Sequence, residues 1–155
     1  MNFDSLMLSD SLLKAVKSAG YTTPSPIQAR AIPEILAGRD IFGCAQTGTG
    51  KTAAFALPIM QMLESRGSYP KPLRFRALIL TPTRELAEQI DDNIAIYGKN
   101  LHLSHCKIYG GVSQNPQIKT LLNRVDFFGA TPRRLFALLE KKKTPFAGRP
   151  FFLFD

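Results

Sequence analysis

The residues best suited to chemistry in this chain are the eight from Ala45 to Thr52, reading Ala45-Gln46-Thr47-Gly48-Thr49-Gly50-Lys51-Thr52. Gly48 and Gly50 permit backbone angles that a Cβ would forbid, so successive N–H groups can turn inward on phosphate oxygens. Lys51 would bring a full positive charge to the outer phosphates, and Thr52 a hydroxyl to Mg²⁺. An apolar run, Ile41-Phe42-Gly43-Cys44, comes before the loop and a helix-compatible run, Ala53-Ala54-Phe55-Ala56-Leu57, comes after it. Strand, glycine-rich loop and helix thus follow in the order a phosphate-binding P-loop requires, and the start of the helix adds partial positive charge. Ala45 replaces the usual first glycine, which narrows the loop geometry and removes no donor. The plain alternative is a flexible glycine loop between two elements; the full pattern with its strand and helix flanks favours the P-loop.

A second pattern occurs twice. Thr81-Pro82-Thr83-Arg84 and Thr131-Pro132-Arg133-Arg134 each follow an apolar run and precede a helical one. In each, Thr is predicted at the N-cap, Pro in the first turn and Arg at the same offset. Free N–H groups at a helix start together with a guanidinium make a phosphate site, and several in a row suit a nucleic-acid backbone. Thr-Pro is also simply a good way to start a helix; two copies with matched arginines in a basic chain favour the functional reading.

These residues need elements to hold them. Helices are predicted over residues 10–18, with Leu12, Leu13 and Val16 at helical spacing, and from Ser25 to about Leu36, with Ser25 at the N-cap, Pro26 in the first turn and Gln28 placed for a capping box. Further helices follow: one from Lys51 with Pro58 inside it, where a kink is expected, and others at 83–95, 115–123 and 131–142. Strands are expected at 41–44, 77–80, 106–109 and 151–155, with a weaker one at 126–130 that Gly129 interrupts. Strands alternating with helices imply an α/β fold, a parallel sheet with helices on both faces. The C-terminal ends of parallel strands share one edge, so the P-loop, both Thr-Pro turns and the Tyr109-Gly110-Gly111 turn are expected there.

The bulk numbers agree with one soluble domain. The chain has 155 residues, 45% hydrophobic and 21% charged, enough for a real core. No apolar run is long enough to span a membrane, and the start, Met1-Asn2-Phe3-Asp4, lacks a signal-peptide core, so a cytoplasmic protein is expected. Cys44 and Cys106 form no motif and read as buried free thiols in a reducing compartment. The net charge of +8 attracts polyanions, nucleic acid first.

Together these pieces resemble the DEAD-box ATP-dependent RNA helicases, and within them the bacterial RhlE-like branch. The likeness runs the whole length of the chain. Phe3 matches the isolated upstream aromatic, and Gly20-Tyr21-Thr22-Thr23-Pro24-Ser25-Pro26-Ile27-Gln28 matches the Q motif. Residues 45–52 match motif I, Pro82-Thr83-Arg84-Glu85-Leu86-Ala87 motif Ia, Gly110-Gly111 the GG motif, and Thr131-Pro132 with Arg134 motif Ib. The resemblance implies a RecA-like P-loop NTPase lobe and ATP with Mg²⁺ as cofactors. It implies adenine reading by the Q motif, with Tyr21 stacking and Gln28 hydrogen-bonding the base; Phe3 and Thr23 belong to the same nucleotide site. It implies RNA-backbone contacts from Pro82, Thr83, Arg84, Gly110, Gly111, Thr131, Pro132 and Arg134. Phe152-Leu153-Phe154-Asp155 resembles the strand leading into the D-E-A-D motif, which makes Asp155 the Mg²⁺-holding aspartate and, with Lys51 and Thr52, part of the catalytic set.

Two departures stand out. Arg133 occupies a position that is glycine in the family, where a side chain would either block close backbone approach or add a phosphate contact. The chain also reaches only Asp155, so the next glutamate, motif III and the second RecA-like lobe with its arginine finger are not in it. The expected organisation is therefore N-terminal helices with the Q motif over 1–37 and an incomplete RecA-like lobe over 38–155. Its parent activity would be ATP hydrolysis coupled to local RNA unwinding. A non-catalytic nucleotide- or RNA-binding remnant of a truncated helicase gene is the alternative. A small-molecule kinase explains neither the Q motif nor the paired turns.

Overall fold

The computed structural model describes residues 1–67, 75–123, 125–141 and 151–155. They group into two compact units, one of residues 1–66 with 93–102, the other of residues 67–92 with 103–155.

The first unit is helical. A short 3-10 helix, Phe3–Leu6, is capped by Asn2, whose side-chain oxygen accepts the Ser5 N–H at 3.2 Å. Three α-helices follow: α1, Asp10–Ser18; α2, Pro26–Leu36; and α3, Lys51–Ser65. Leu12 and Val16 on α1, Ile32 on α2 and Leu57, Met60 and Leu63 on α3 are buried with Phe3 and Leu6. The four-residue spacing of Leu12 and Val16 gives α1 one apolar stripe, and burying such a stripe is what holds a short helix in place, whereas α3 is buried at five consecutive residues, 56–60, and so all round. α3 runs on through Pro58 to Ser65.

The second unit is built on a four-stranded sheet: β1, Phe75–Leu80; β2, His105–Ile108; β3, Val125–Ala130; β4, Phe151–Phe154. The order is β2-β3-β1-β4 and every pairing is parallel, as the alternation of elements predicts. The connecting helices are α4, Arg84–Tyr97; α5, Gln114–Leu122; and α6, Pro132–Glu140. Phe75, Leu78, Val125 and Phe128 pack with Leu135 and Leu138 of α6. The alternate positions Ala77, Ile79 and Phe127 are buried as well, so the two middle strands are covered on both faces.

Three expectations need correction. Residues 41–44 form no strand: among the described residues they pair in no ladder, and Ile41 and Phe42 are exposed. A short apolar run is extended by default, but only ladder hydrogen bonds to a neighbour make it a strand. Cys44 lies on this run and is exposed, not buried; Cys106, on β2, is half-buried and burial pushes its thiol up to about 12. The third correction concerns β3, which is a full strand and not an interrupted one. Gly129 stays in the ladder, opposite Ile79 on one side and Lys107 on the other. The predicted end of the last helix, residue 142, and most of the 67–72 loop lie outside the described residues.

Candidate nucleotide cradle and nucleic-acid edge

In the first unit the loop 45–50 leads directly into α3. Gly48 and Gly50 both adopt left-handed conformations, φ +82° and +79°, which explains why glycine stands at each. Thr49 Oγ1 donates to the Gln46 carbonyl at 2.6 Å and tightens the turn. Gly50 is the N-cap of α3 and no side chain caps the helix, so its leading N–H groups are left for an anion. Lys51 and Thr52, half-buried in the first turn, follow at once. Among the described residues neither makes a side-chain hydrogen bond or ion pair, which leaves an ammonium and a hydroxyl uncommitted beside those N–H groups.

Gln28 ties the Q-motif segment to this loop. It is only 2% exposed. Its Oε1 accepts the Ser25 N–H at 2.9 Å, the capping contact that its spacing predicts, and its Nε2 donates to the Gly50 carbonyl at 3.1 Å. Each end of the amide makes one bond, which leaves one N–H and one lone pair for a further partner, and a Cβ on Gly50 would collide with it. The other Q-motif residues are spread around: Tyr21 is partly exposed, its ring tilted against Tyr97 at 6.3 Å, Thr23 is exposed, and Phe3 sits in the core.

In the second unit the parallel register brings the strand ends Leu80, Ile108, Ala130 and Phe154 to one edge. The residues just beyond extend the ladder in the same way. Thr81 N–H donates to the Ala130 carbonyl at 2.9 Å, Thr131 N–H to Ile108 at 3.0 Å and Asp155 N–H to Leu80 at 2.9 Å. The two Thr-Pro turns nonetheless differ. Thr131 is the N-cap of α6 and Pro132 its first residue, as the sequence predicts. In the other turn Thr83, not Thr81, caps the helix: its Oγ1 accepts the Leu86 N–H at 3.3 Å, and Pro82 lies outside α4. Thr81 is buried in the ladder instead, its hydroxyl turned to the Thr83 carbonyl at 3.2 Å.

The glycine turn 110–111 lies against the arginines of both turns. Arg84 stacks over the Tyr109 ring at 4.6 Å and lies 3.6 Å from Glu88. Tyr109 OH donates to Glu88 Oε1 at 2.8 Å, a bond that holds the Glu88 carboxyl below its usual range, with the charge of Arg84 acting the same way. A Cβ on Gly111 would stand 3.8 Å from Arg84, and Gly110 has open space where its Cβ would be. On the other side, Arg134 donates to Gln117 Oε1 at 3.1 Å and to the Val112 carbonyl at 3.0 Å, while Gln117 Nε2 donates to the Tyr109 carbonyl at 3.1 Å. Sequence reasoning missed Glu88 and Gln117. The first was legible as a carboxylate one helical turn after Arg84; nothing in the spacing announces the second.

A parallel sheet whose strand ends carry helix-start turns, and a glycine-rich loop that opens a helix, are the parts of a RecA-like P-loop lobe. The family model described as DEAD/DEAH box helicase matches residues 25–155, and the chain belongs to that family. It is 45% identical over 142 residues to the DEAD-box ATP-dependent RNA helicase RhpA of Helicobacter pylori, an alignment covering 92% of this chain and 28% of that protein. The ATP-dependent RNA helicase CshA of Limosilactobacillus reuteri is 44% identical over 135 residues, covering 87% of this chain and 26% of its own length. The ATP-dependent rRNA helicase RRP3 of Candida albicans is 43% identical over 141 residues, covering 91% and 26%. The chain thus spans little more than a quarter of these relatives. Among the described residues no helix is long and apolar enough to cross a membrane.

Proposed function

We propose that this chain is the part of an ATP-dependent RNA helicase that binds ATP and the RNA backbone, within a parent activity of ATP hydrolysis coupled to local duplex unwinding. The observation that carries this reading is the Gln28 bridge. A buried amide from the segment that would read adenine holds the carbonyl of Gly50, at the turn that would wrap the phosphates. Base recognition and phosphate geometry are then mechanically joined.

In this reading the N–H groups of residues 48–52 and the Lys51 ammonium hold the outer phosphates, and Tyr21 and Gln28 face the base. Phe3 supports that segment from the core, and Thr23 lies within it. As the family resemblance implies, Thr52 would offer Mg²⁺ a hydroxyl and Asp155 a carboxylate. Among the described residues no cluster of three or more His, Cys, Asp or Glu could hold a metal unaided. A hydroxyl in the first turn of α3, beside the leading N–H groups, suits an ion that takes most of its ligands from phosphate and water. Bound there, Mg²⁺ would neutralise charge on the phosphates. Pro82, Thr83, Arg84, Gly110, Gly111, Thr131 and Pro132 form the RNA edge. We assign ATP and RNA-backbone binding to these residues, and ATP turnover to the whole helicase.

Calorimetry on the chain tests the reading. ATP is expected to bind in preference to GTP. Lys51→Ala is expected to abolish measurable binding, since a charge-assisted phosphate contact is worth about 1.5–3 kcal/mol. Gln28→Ala is expected to weaken ATP more than GTP. Equal affinities for the two nucleotides in the unsubstituted chain would remove the adenine role from Tyr21 and Gln28.

A further inference from the structure

We propose that Arg133, the residue that replaces the family's glycine, is the guanidinium that takes an RNA phosphodiester beside Gly110-Gly111, and that Arg134 is a positioning residue that shapes the pocket. The proposal rests on the RNA-backbone reading above. It begins from a cavity of about 300 Å³ lined by Gly110, Gly111, Gln114, Arg133, Arg134 and Ala137.

Only one of the two arginines is uncommitted. Arg134 is half-buried and its fork is in use, one nitrogen on Gln117 Oε1 and the other on the Val112 carbonyl. Through Gln117, which holds the Tyr109 carbonyl, Arg134 grips the glycine turn from both ends. Swinging it onto a phosphate would leave those acceptors without their donor, and breaking such a network is costly. Arg133 is exposed and lines the same cavity, and among the described residues it makes no hydrogen bond or ion pair. It can meet an anion without giving anything up.

The rest of the lining agrees. Gln114 Oε1 is taken by Lys141 Nζ at 2.7 Å and Ala137 is apolar, so neither competes for a phosphate. At Gly110 no atom lies within 4 Å of where a Cβ would be, so a ligand can approach the backbone closely. One planar cation facing an open glycine turn suits an oxyanion held by two parallel N–H bonds. Arg84 on the far side of Gly111 provides a second cation along the same turn, as a chain of phosphates would need.

The test is fluorescence anisotropy with a labelled short oligouridylate and the full chain, titrated between about 50 and 200 mM salt. Arg133→Ala is expected to weaken binding and to reduce the magnitude of the log–log salt slope by about 0.7, the value for one phosphate on a single strand. Arg133→Lys should keep the slope. Arg134→Ala should weaken binding while leaving the slope unchanged, and Arg134→Lys should not restore affinity, because one ammonium cannot span both acceptors. Thermal melts followed by circular dichroism check that each variant is folded; Arg133, being exposed, should melt like the parent. An unchanged slope in Arg133→Ala, or the loss of slope in Arg134→Ala instead, overturns the assignment while leaving the RNA reading standing. Inorganic phosphate competing as well as the oligomer would also overturn it. Failure of the parent chain to bind the oligomer in a salt-dependent way would sink the RNA reading itself, and this proposal with it.

Discussion

Gly50 meets two demands at one Cα. Its φ of +79° places it where an L side chain is strained, and any Cβ there would run into the Gln28 amide. We predict that Gly50→Ala loses about 1–2 kcal/mol from the left-handed conformation alone, and that it also lowers ATP affinity, because the displaced Gln28 can no longer hold the loop. Urea unfolding beside calorimetry would show both. His105 offers a different test. Its Nδ1 lies 2.6 Å from Asp91 Oδ1, and this hydrogen bond raises the imidazole above its ordinary 6.5, against the burial that lowers it. The pair's contribution is therefore complete below 6.5, the unfolded value, and is lost as pH rises through the higher folded value. Stability measured at about pH 6 and about pH 8 should fall more between the two in the parent than in His105→Gln. An identical fall in the variant would assign the pH dependence elsewhere.

Among the elements, β1 and β3 are joined by more than their ladder. Arg76 lies beside Asp126 at 3.0 Å, both nearly inaccessible, and Asp126 also accepts the Ser104 N–H at 2.8 Å. A charge pair set into two strands buried on both faces has little solvent to fall back on. Removing one partner of such a pair typically costs about 3–5 kcal/mol, whereas replacing both with apolar groups of similar size is often neutral. Asp126→Ala is expected in that range by urea unfolding, and an Arg76→Met/Asp126→Leu double variant is expected to recover most of the loss. If the double variant is no more stable than Asp126→Ala, the pair is not the source of the cost. Along the same edge, the different starts of α4 and α6 show how one tetrapeptide pattern yields two geometries. Arg84 is the first residue of its helix and Arg134 the third, so only Arg84 reaches the glycine turn by stacking on Tyr109.

For the molecule as a whole, the telling features are its charge and its sheet edge. A net charge of +8 raises the local concentration of a polyanion before any specific contact forms. Among the described residues β4 ends the strand order, and it shows Phe152 at 53% and Phe154 at 78% exposure. Two exposed phenylalanines on one strand make an apolar patch that favours association. The chain should therefore self-associate with rising concentration. Phe152→Lys with Phe154→Lys should suppress this in light scattering without altering ATP binding; scattering that persists unchanged would place the sticky surface elsewhere.

Much of this protein is set by local sequence. The left-handed glycines of the loop, the caps of α2 and α6, and the helical and strand-like apolar spacings act between residues a few positions apart, so they could be read without knowing the fold. The family likeness rests on the same short motifs. Tertiary structure alone decided three other things. It placed 125–130 in the middle of the sheet and left 41–44 out of it, because a strand exists only where a neighbour completes its hydrogen bonds. It joined Gln28 to Gly50, 22 residues away. And it committed Arg134 while leaving Arg133 open, a distinction that no reading of two adjacent arginines contains, because whether a charge is available depends on the acceptors that the fold brings within reach.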